Sequence, residues 1–225
     1  MERLAGKITI AVSDKLFLKD PETSELGRRI VAGSIDLLVE LGLENFTFRK
    51  LSKRVGTTEA SVYRYFENKH KLLVYLVMWY WGWMEYRMAF ALANVPSPED
   101  RLRRAIKLLT AEIVEDSNFS HINEVKLNRI VVAESLKVYL TRNVDNENEG
   151  GAFSYYKQLI QRVSNIILEL NPDFAYPHML VSTIIEGAHL QRFFADHLPL
   201  VTNAREGEDS VVCFFTHMAF RSIAK

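Results

Sequence analysis

The sequence predicts an all-α protein, and three observations support this class. Apolar residues recur at helical spacing, first over residues 26–41 and then through most of the chain. Start signals for helices, in which a capping residue precedes a proline and an acid, stand at residues 20–22, 97–100 and 171–173. The segments between the apolar runs are short and polar or contain proline and glycine, which is typical of helix connections.

The predicted helices follow these signals in chain order. Gly42 ends the first helix, because glycine readily adopts the left-handed conformation of a helix C-terminus. The acidic stretch 145–151 has almost no apolar content and is predicted to be a loop. Helices are expected near residues 21–41, 48–55, 59–65, 69–93, 98–116, 121–142, 152–170, 177–198 and 209–223.

Residues 1–19 carry a different pattern and form a separate N-terminal arm in this interpretation. Ile8, Ile10 and Val12 alternate with smaller or polar residues, which is compatible with a small hairpin or an extended arm. An irregular helix fits the same residues equally well, and the pattern leaves both alternatives open.

Composition limits the class of protein. The chain has 225 residues, 48% hydrophobic and 25% charged, which is ordinary for a globular protein. No apolar run approaches the roughly 18 residues that a membrane span needs, and the N-terminus lacks the features of a secretory signal. We therefore expect a cytoplasmic protein. The single cysteine, Cys213, lies in an apolar run and is expected to be inert.

The formal net charge is zero, but the charges are unevenly distributed. Residues 44–71 contain seven Lys or Arg against three acids, whereas residues 72–225 contain 15 bases against 18 acids. A local positive excess of this kind is typical of a nucleic-acid contact surface, although a short basic stretch is often only a solvated face.

The most informative segment is residues 46–66. Leu51 and Val55 are four residues apart and share one face of a short helix, and Gly56 provides the tight turn after it. A second short helix follows, with Val62 and Phe66 on its buried face. Two short helices joined by a glycine turn are typical of a helix-turn-helix, whose second helix enters the major groove of DNA. A purely structural helical hairpin is the alternative.

Residues 24–77 resemble the N-terminal domain of the TetR (tetracycline-repressor-like) family. The likeness rests on Phe46-Thr47, Gly56, the run Ser61–Phe66 and the run Asn68–Leu73, all at the family's spacing. Thr57, where an apolar residue is usual, and Ser52, where alanine is commoner, depart from the pattern without disturbing it. The resemblance implies a DNA-binding domain over residues 20–68 and a helical ligand-binding and dimerisation domain over residues 69–225.

The same resemblance assigns roles within the motif. Thr47, Tyr63, Tyr65 and Lys69 are expected on phosphates, Arg64 on the backbone, and Arg49 and the start of the second helix near base edges. The implied partner is double-stranded DNA with a pseudo-palindromic operator. The expected DNA-binding residues are Thr47, Arg49, Thr58, Glu59, Ala60, Ser61, Tyr63, Arg64, Tyr65 and Lys69.

The resemblance further implies that the last two long helices form a four-helix interface in a homodimer, and the sequence agrees with this. Both are apolar on nearly all sides, which is typical of a buried or shared helix, and Gly187-Ala188 allows two helices to approach closely. The expected interface residues are Leu180, Ile184, Gly187, Ala188, Phe215 and Met218.

A small-molecule effector is also implied by the resemblance, but its identity is not. Trp79, Trp83, Tyr86 and Phe90 share one helix face and are candidates for the pocket lining, with Glu134 as a polar partner. Core packing of the aromatic residues, and an interhelical ion pair for Glu134, are the alternatives.

Catalytic and cofactor motifs are missing from the sequence. Glu186–His189 is a Glu-x-x-His motif, but a di-iron bundle needs two such motifs facing each other and two further glutamates. We therefore expect neither an enzyme nor a cofactor or metal, but a repressor released from DNA by its effector. The rival hypotheses are a helical-bundle enzyme or small-molecule binding protein, and a protein-interaction module.

Overall fold

The computed structural model describes residues 10–115, 121–204 and 209–224, and this part of the chain is helical without a β-strand. The all-α prediction is confirmed. The helices are α1 (Glu25–Asn45), α2 (Phe48–Val55), α3 (Glu59–Tyr63), α4 (Lys69–Leu92), α5 (Pro98–Thr110), α6 (Glu124–Glu134), α7 (Leu136–Tyr139), α8 (Val144–Glu149), α9 (Ser154–Leu170), α10 (Pro177–His197) and α11 (Ser210–Ile223).

These helices form two compact units. The first contains residues 1–83 and 114–153, and the second contains residues 84–113 and 154–225. This division differs from the boundary at residue 68 expected from the sequence, because α6, α7 and α8 and most of α4 join the helix-turn-helix in the first unit. No described helix is long and apolar enough to span a membrane.

The core of the first unit is built around α4. Residues 72–81 of this helix are all buried, and a helix that is apolar on every side must be enclosed by its neighbours. Two buried polar side chains of α4 form hydrogen bonds to neighbouring helices. Trp81 Nε1 donates to Tyr139 Oη at 2.7 Å, and Tyr80 Oη donates to Asn128 Oδ1 at 2.9 Å. The helix therefore fixes α6 and α7 by hydrogen bonds as well as by packing.

Gly42 interrupts α1 three residues before its end. Its backbone lies at φ 68° and ψ 166°, a region open almost only to glycine, so the regular helix stops at the residue predicted from the sequence. The next amide, Leu43 N, donates to the buried carboxylate of Glu134 on α6 at 3.0 Å. This bond anchors the segment that leads into α2.

Residues 10–23 pack against the rest of the first unit. Leu16 is buried in a 3-10 turn over Asp14–Leu16, and Leu18 N donates to Tyr65 O at 2.8 Å. Residues 10–19 form neither the hairpin nor a helix beyond this 3-10 turn, and residues 1–9 lie outside the described part of the chain.

The helices of the second unit pack through small and branched side chains. Helix α10 contacts α5, α9 and α11, and α5 also contacts α9 and α11. Arg192 on α10 donates to Thr110 O at 3.0 and 2.7 Å, where α5 exposes its last carbonyls, and to Asp209 Oδ1 at 2.9 Å. Gly187 permits close packing, since a Cβ there would lie 2.7 Å from Phe215 Cζ.

Several helix boundaries differ from the predictions. Helix α5 ends at Thr110 instead of residue 116, and the helix expected over 121–142 is divided at Ser135 into α6 and α7. The acidic stretch predicted as a loop contains α8. Glu147 is buried there because His70 Nε2 lies 3.2 Å and Lys71 Nζ 3.0 Å from its carboxylate.

Candidate DNA-binding surface and ligand-binding unit

The α2–α3 turn is built by side-chain caps and one left-handed glycine. Thr47 Oγ1 accepts the amide of Lys50 at 3.2 Å at the start of α2. Gly56 ends α2 at φ 68° and ψ 45°. Thr58 Oγ1 then accepts the amide of Ser61 at 3.2 Å at the start of α3. Because these caps satisfy the free amides of two very short helices, the turn geometry is fixed locally.

Packing orients the two helices. Leu51 on α2, Val62 on α3 and Phe66 just after it are fully buried, so the opposite faces point outward. Tyr63 remains 47% exposed, while its ring packs edge-on against Phe48 with centroids 4.9 Å apart. The Tyr63 hydroxyl is thus held at the surface by a ring that cannot swing freely.

Most of the residues expected on DNA lie on this outward surface. Ser61 is half-buried beside the Thr58 cap, 2.9 Å from Oγ to Oγ1. The exposed members, which we call the α2–α3 surface, are Thr47, Arg49, Thr58, Glu59, Ala60, Tyr63 and Arg64.

Tyr65 and Lys69 are engaged in other contacts. Tyr65 is 3% exposed and its Oη lies 2.7 Å from Ser24 Oγ, so we remove it from the DNA-binding set. Lys69 is half-buried, and its ammonium donates to Leu43 O at 2.9 Å and more weakly to Glu44 O and Phe46 O at 3.4 Å. A phosphate contact by Lys69 would have to be shared with this capping of α1.

Two further cations of the basic segment are paired with acids. The Arg54 guanidinium donates to both oxygens of Glu40 at 2.8 and 2.6 Å, and this hydrogen bonding lowers the pKa of Glu40. Lys71 pairs with the buried Glu147. The positive excess counted along the sequence is therefore partly neutralised inside the first unit.

The residues predicted to line an effector pocket do not form one. Trp79 and Trp83 are at most 1% exposed and belong to the core of the first unit. Glu134 is also in the first unit, where its carboxylate holds Leu43 N and lies 2.8 Å from Lys137 Nζ. Tyr86 and Phe90 belong to the second unit, and Phe90 is 67% exposed. Core packing therefore describes Trp79 and Trp83 better, and an ion pair describes Glu134 better, than a role in a ligand pocket.

A cleft in the second unit was not predicted from the sequence. It has a volume of about 590 Å³ and lies between the C-terminal part of α4, α5 and α9. Its polar lining includes two ion pairs, Glu85 with Arg162 and Arg101 with Glu169. No sequence motif signals it, since its residues come from three separate helices.

The residues expected at a dimer interface fall into two groups. Ile184, Ala188 and Phe215 are at most 3% exposed and pack inside the second unit, so we correct them to core residues. Leu180, Gly187 and Met218 are half-buried. The apolar residues that α10 and α11 expose are different ones and were missed: Met179 (66%), Leu190 (47%) and Phe214 (59%).

Helix α10 also carries buried ionisable groups. Tyr156 Oη donates to Glu186 Oε1 at 3.1 Å, and burial raises the pKa of Glu186. Burial lowers the pKa of His189 to about 4, so this imidazole is neutral at physiological pH. Within the described residues no group of His, Cys, Asp and Glu side chains is arranged to hold a metal ion.

A comparison with protein-family models gives a match within the first unit. Residues 30–76, from the middle of α1 into α4, match the family model described as bacterial regulatory proteins, tetR family. The matched segment contains the α2–α3 turn. No curated protein sequence gives a match.

Solved structures resemble the whole fold at low sequence identity. The regulator FadR from Bacillus subtilis, in complex with stearoyl-CoA, is 16% identical with a TM-score of 0.62, over 87% of this chain and 98% of its own. AibR, in complex with isovaleryl coenzyme A and operator DNA, is 14% identical with a TM-score of 0.58, over 86% and 97%. PfmR from Thermus thermophilus is 14% identical with a TM-score of 0.57, over 88% and 100%.

Residues 30–76, which contain the capped α2–Gly56–α3 turn, thus match the tetR family model of bacterial regulatory proteins, and the chain shares its all-helical fold with solved regulators.

Proposed function

We propose that this protein is a transcriptional regulator that binds operator DNA as a homodimer and is released from it by a small-molecule effector. The observation that carries the proposal is the α2–α3 surface, an outward face of small, hydroxyl-bearing and basic residues on a capped helix-turn-helix. AibR, a fold neighbour crystallised with operator DNA and a coenzyme A thioester, supports the combination of DNA and effector. The protein acts in the cytoplasm, without catalysis, in this proposal.

The start of α3 suits the major groove. The groove is about 12 Å wide, so the leading residues of an entering helix must be small. Ala60 and Ser61 meet this condition, while Arg49 and Arg64 stand exposed on either side to contact bases and phosphates.

Selection from a random duplex library, followed by footprinting of the selected DNA, tests DNA binding. We expect a protected pseudo-palindrome with half-sites spaced by about 34 Å, one helical turn, or a multiple of it. Arg49→Ala or Tyr63→Phe should weaken binding about tenfold or more, because each removes a donor to DNA. Arg103→Ala, which removes an exposed arginine of α5, is the matched control and should leave binding unchanged. Selection of no duplex would refute the proposal.

The homodimer is proposed to form through the exposed apolar faces of α10 and α11. Met179 and Leu190 are eleven residues apart and so lie on one face of α10, and Phe214 is exposed on α11. Light scattering should give twice the 26.0 kDa chain mass for the parent protein. Phe214→Glu should shift the mass toward that of one chain, whereas Glu99→Gln should not. A parent protein that stays monomeric would contradict this arrangement.

A further inference from the structure

We propose that the cleft between α4, α5 and α9 is the effector site, and that its ligand is a small, uncharged polyhydroxyl compound. This inference rests on the proposed function, in which an effector controls DNA binding. Its volume of about 590 Å³ is within the usual range of small-molecule sites, about 300–1,000 Å³.

Two buried polar atoms on the cleft-lining residues lack a hydrogen-bond partner within the described part of the chain. One is the acceptor Glu85 Oε2, on a residue only 7% exposed, and the other is the donor Arg101 Nε. Leaving such groups unpaired costs free energy, because they lose water without gaining a partner. A ligand that carries both donors and acceptors would satisfy both atoms, and a hydroxyl group is both at once.

The charges of the cleft cancel, which argues against an ionic ligand. Arg162 Nε donates to Glu85 Oε1 at 2.8 Å, and the Arg101 guanidinium donates to Glu169 at 3.2 and 2.5 Å. Each guanidinium is thus balanced by a carboxylate. An anionic ligand would find no excess positive charge there, and a cationic ligand no excess negative charge.

The remaining lining suits a compound with hydroxyl groups on a carbon ring. The side-chain amides of Gln158, Gln161 and Asn165 also line the cleft; Gln161 Nε2 donates to Asn165 Oδ1 at 2.8 Å, and each of these two NH₂ groups has a further N–H to donate. Leu92 and Ile166 add apolar surface for the carbon skeleton. A sugar or cyclitol presents this combination of hydroxyl edges and a C–H face.

Saturation-transfer difference NMR on the full-length protein tests this inference, with methyl α-D-glucoside, D-ribose and myo-inositol as probes at millimolar concentration. Spermidine, citrate and palmitoyl-CoA serve as cationic, anionic and acyl-CoA comparisons in displacement experiments. We expect binding of at least one polyol, and weakening of about tenfold or more in Glu85→Leu and in Arg101→Lys, which remove the acceptor and the Nε donor. Glu99→Gln on α5 is the matched control and should bind like the parent.

Circular dichroism melting of each variant establishes that it is folded, and the two different substitutions keep the test informative if one of them fails to fold. Binding of no polyol, preference for one of the three comparison ligands, or binding unaffected by both cleft substitutions would each overturn the inference. Operator binding without effector is measured separately. If it persists while the polyols fail, the proposed regulator stands and only the ligand assignment falls.

Discussion

Replacing Glu134 with alanine tests the link between α6 and the segment that enters the helix-turn-helix. The buried carboxylate accepts the Leu43 amide at 3.0 Å, immediately after the Gly42 break. Without it, a buried N–H loses its partner at a cost of about 1–3 kcal/mol, and the lost methylene packing adds about 1 kcal/mol. We therefore expect the free energy of unfolding to fall by about 3 kcal/mol.

The assay uses the tryptophans of the chain, all three of which are buried in the first unit. Their fluorescence in urea should show the unfolding midpoint lowered by about 1 M, from the usual urea dependence of domains of this size. Glu134→Gln keeps an acceptor oxygen and should recover most of the loss. Glu44→Gln removes only the exposed Glu44–Lys137 ion pair and should cost little. A midpoint for Glu134→Ala no lower than that of Glu44→Gln would refute the reasoning.

Four further substitutions have expected outcomes that thermal melting can check. Gly42→Ala should destabilise the protein more than Gly56→Ala. The backbone conformation of Gly42, with ψ 166°, is nearly closed to alanine, whereas alanine can adopt that of Gly56 at a cost of about 1 kcal/mol. Equal losses of stability would contradict this. Gly187→Ala should cost about 1–3 kcal/mol by overpacking against the buried Phe215 ring, and a neutral effect would show that the ring can move. Burial lowers the pKa of His189 to about 4, so stability should be complete above pH 6.5 and fall by up to about 3 kcal/mol as pH drops toward 4. His189→Gln should flatten this decline, and an unchanged pH profile would exclude His189 as its source.

The parts of the fold that local chemistry determines were predictable from the sequence. Helix α2 begins and ends as expected because Thr47 and Gly56 are short-range signals, and Gly42 breaks α1 for the same reason. The exposed α2–α3 surface followed from the buried positions of Leu51 and Val62.

Tyr65 was misassigned because the predicted second helix ran to residue 65. Helix α3 ends at Tyr63, so helical periodicity no longer gives the direction of Tyr65, and its side chain lies inside. Likewise the division at Ser135 contains neither glycine nor proline, and α8 is stabilised by His70 and Lys71, about 76 positions away. Tertiary contacts of this kind leave no local pattern.

The cleft proposed as the effector site could not be predicted from the sequence for a related reason. Glu85, Arg101 and Arg162 are separated by 16 and 61 positions in the sequence. The local pattern around each of them predicts only an ordinary surface charge. Only the packing of α4, α5 and α9 brings them to one wall, with an acceptor and a donor unpaired.

The internal pairing of the basic segment has a consequence for how ionic strength affects operator binding. Arg54 is held by Glu40, Lys69 by the carbonyls at the end of α1 and Lys71 by Glu147. Of the seven bases between residues 44 and 71, Arg49, Lys50, Lys53 and Arg64 are exposed and able to displace counterions from DNA, and Lys50 Nζ also donates to Asn45 O at 2.8 Å. For a dimer, the slope of log affinity against log salt concentration should then be no steeper than about −7. Seven free bases per chain would instead give a slope of about −13. In the proposed complex, affinity would therefore fall less steeply with salt concentration than for a surface with seven free bases, because hydroxyls and helix-start amides, which release no ions, make up the rest of the contact.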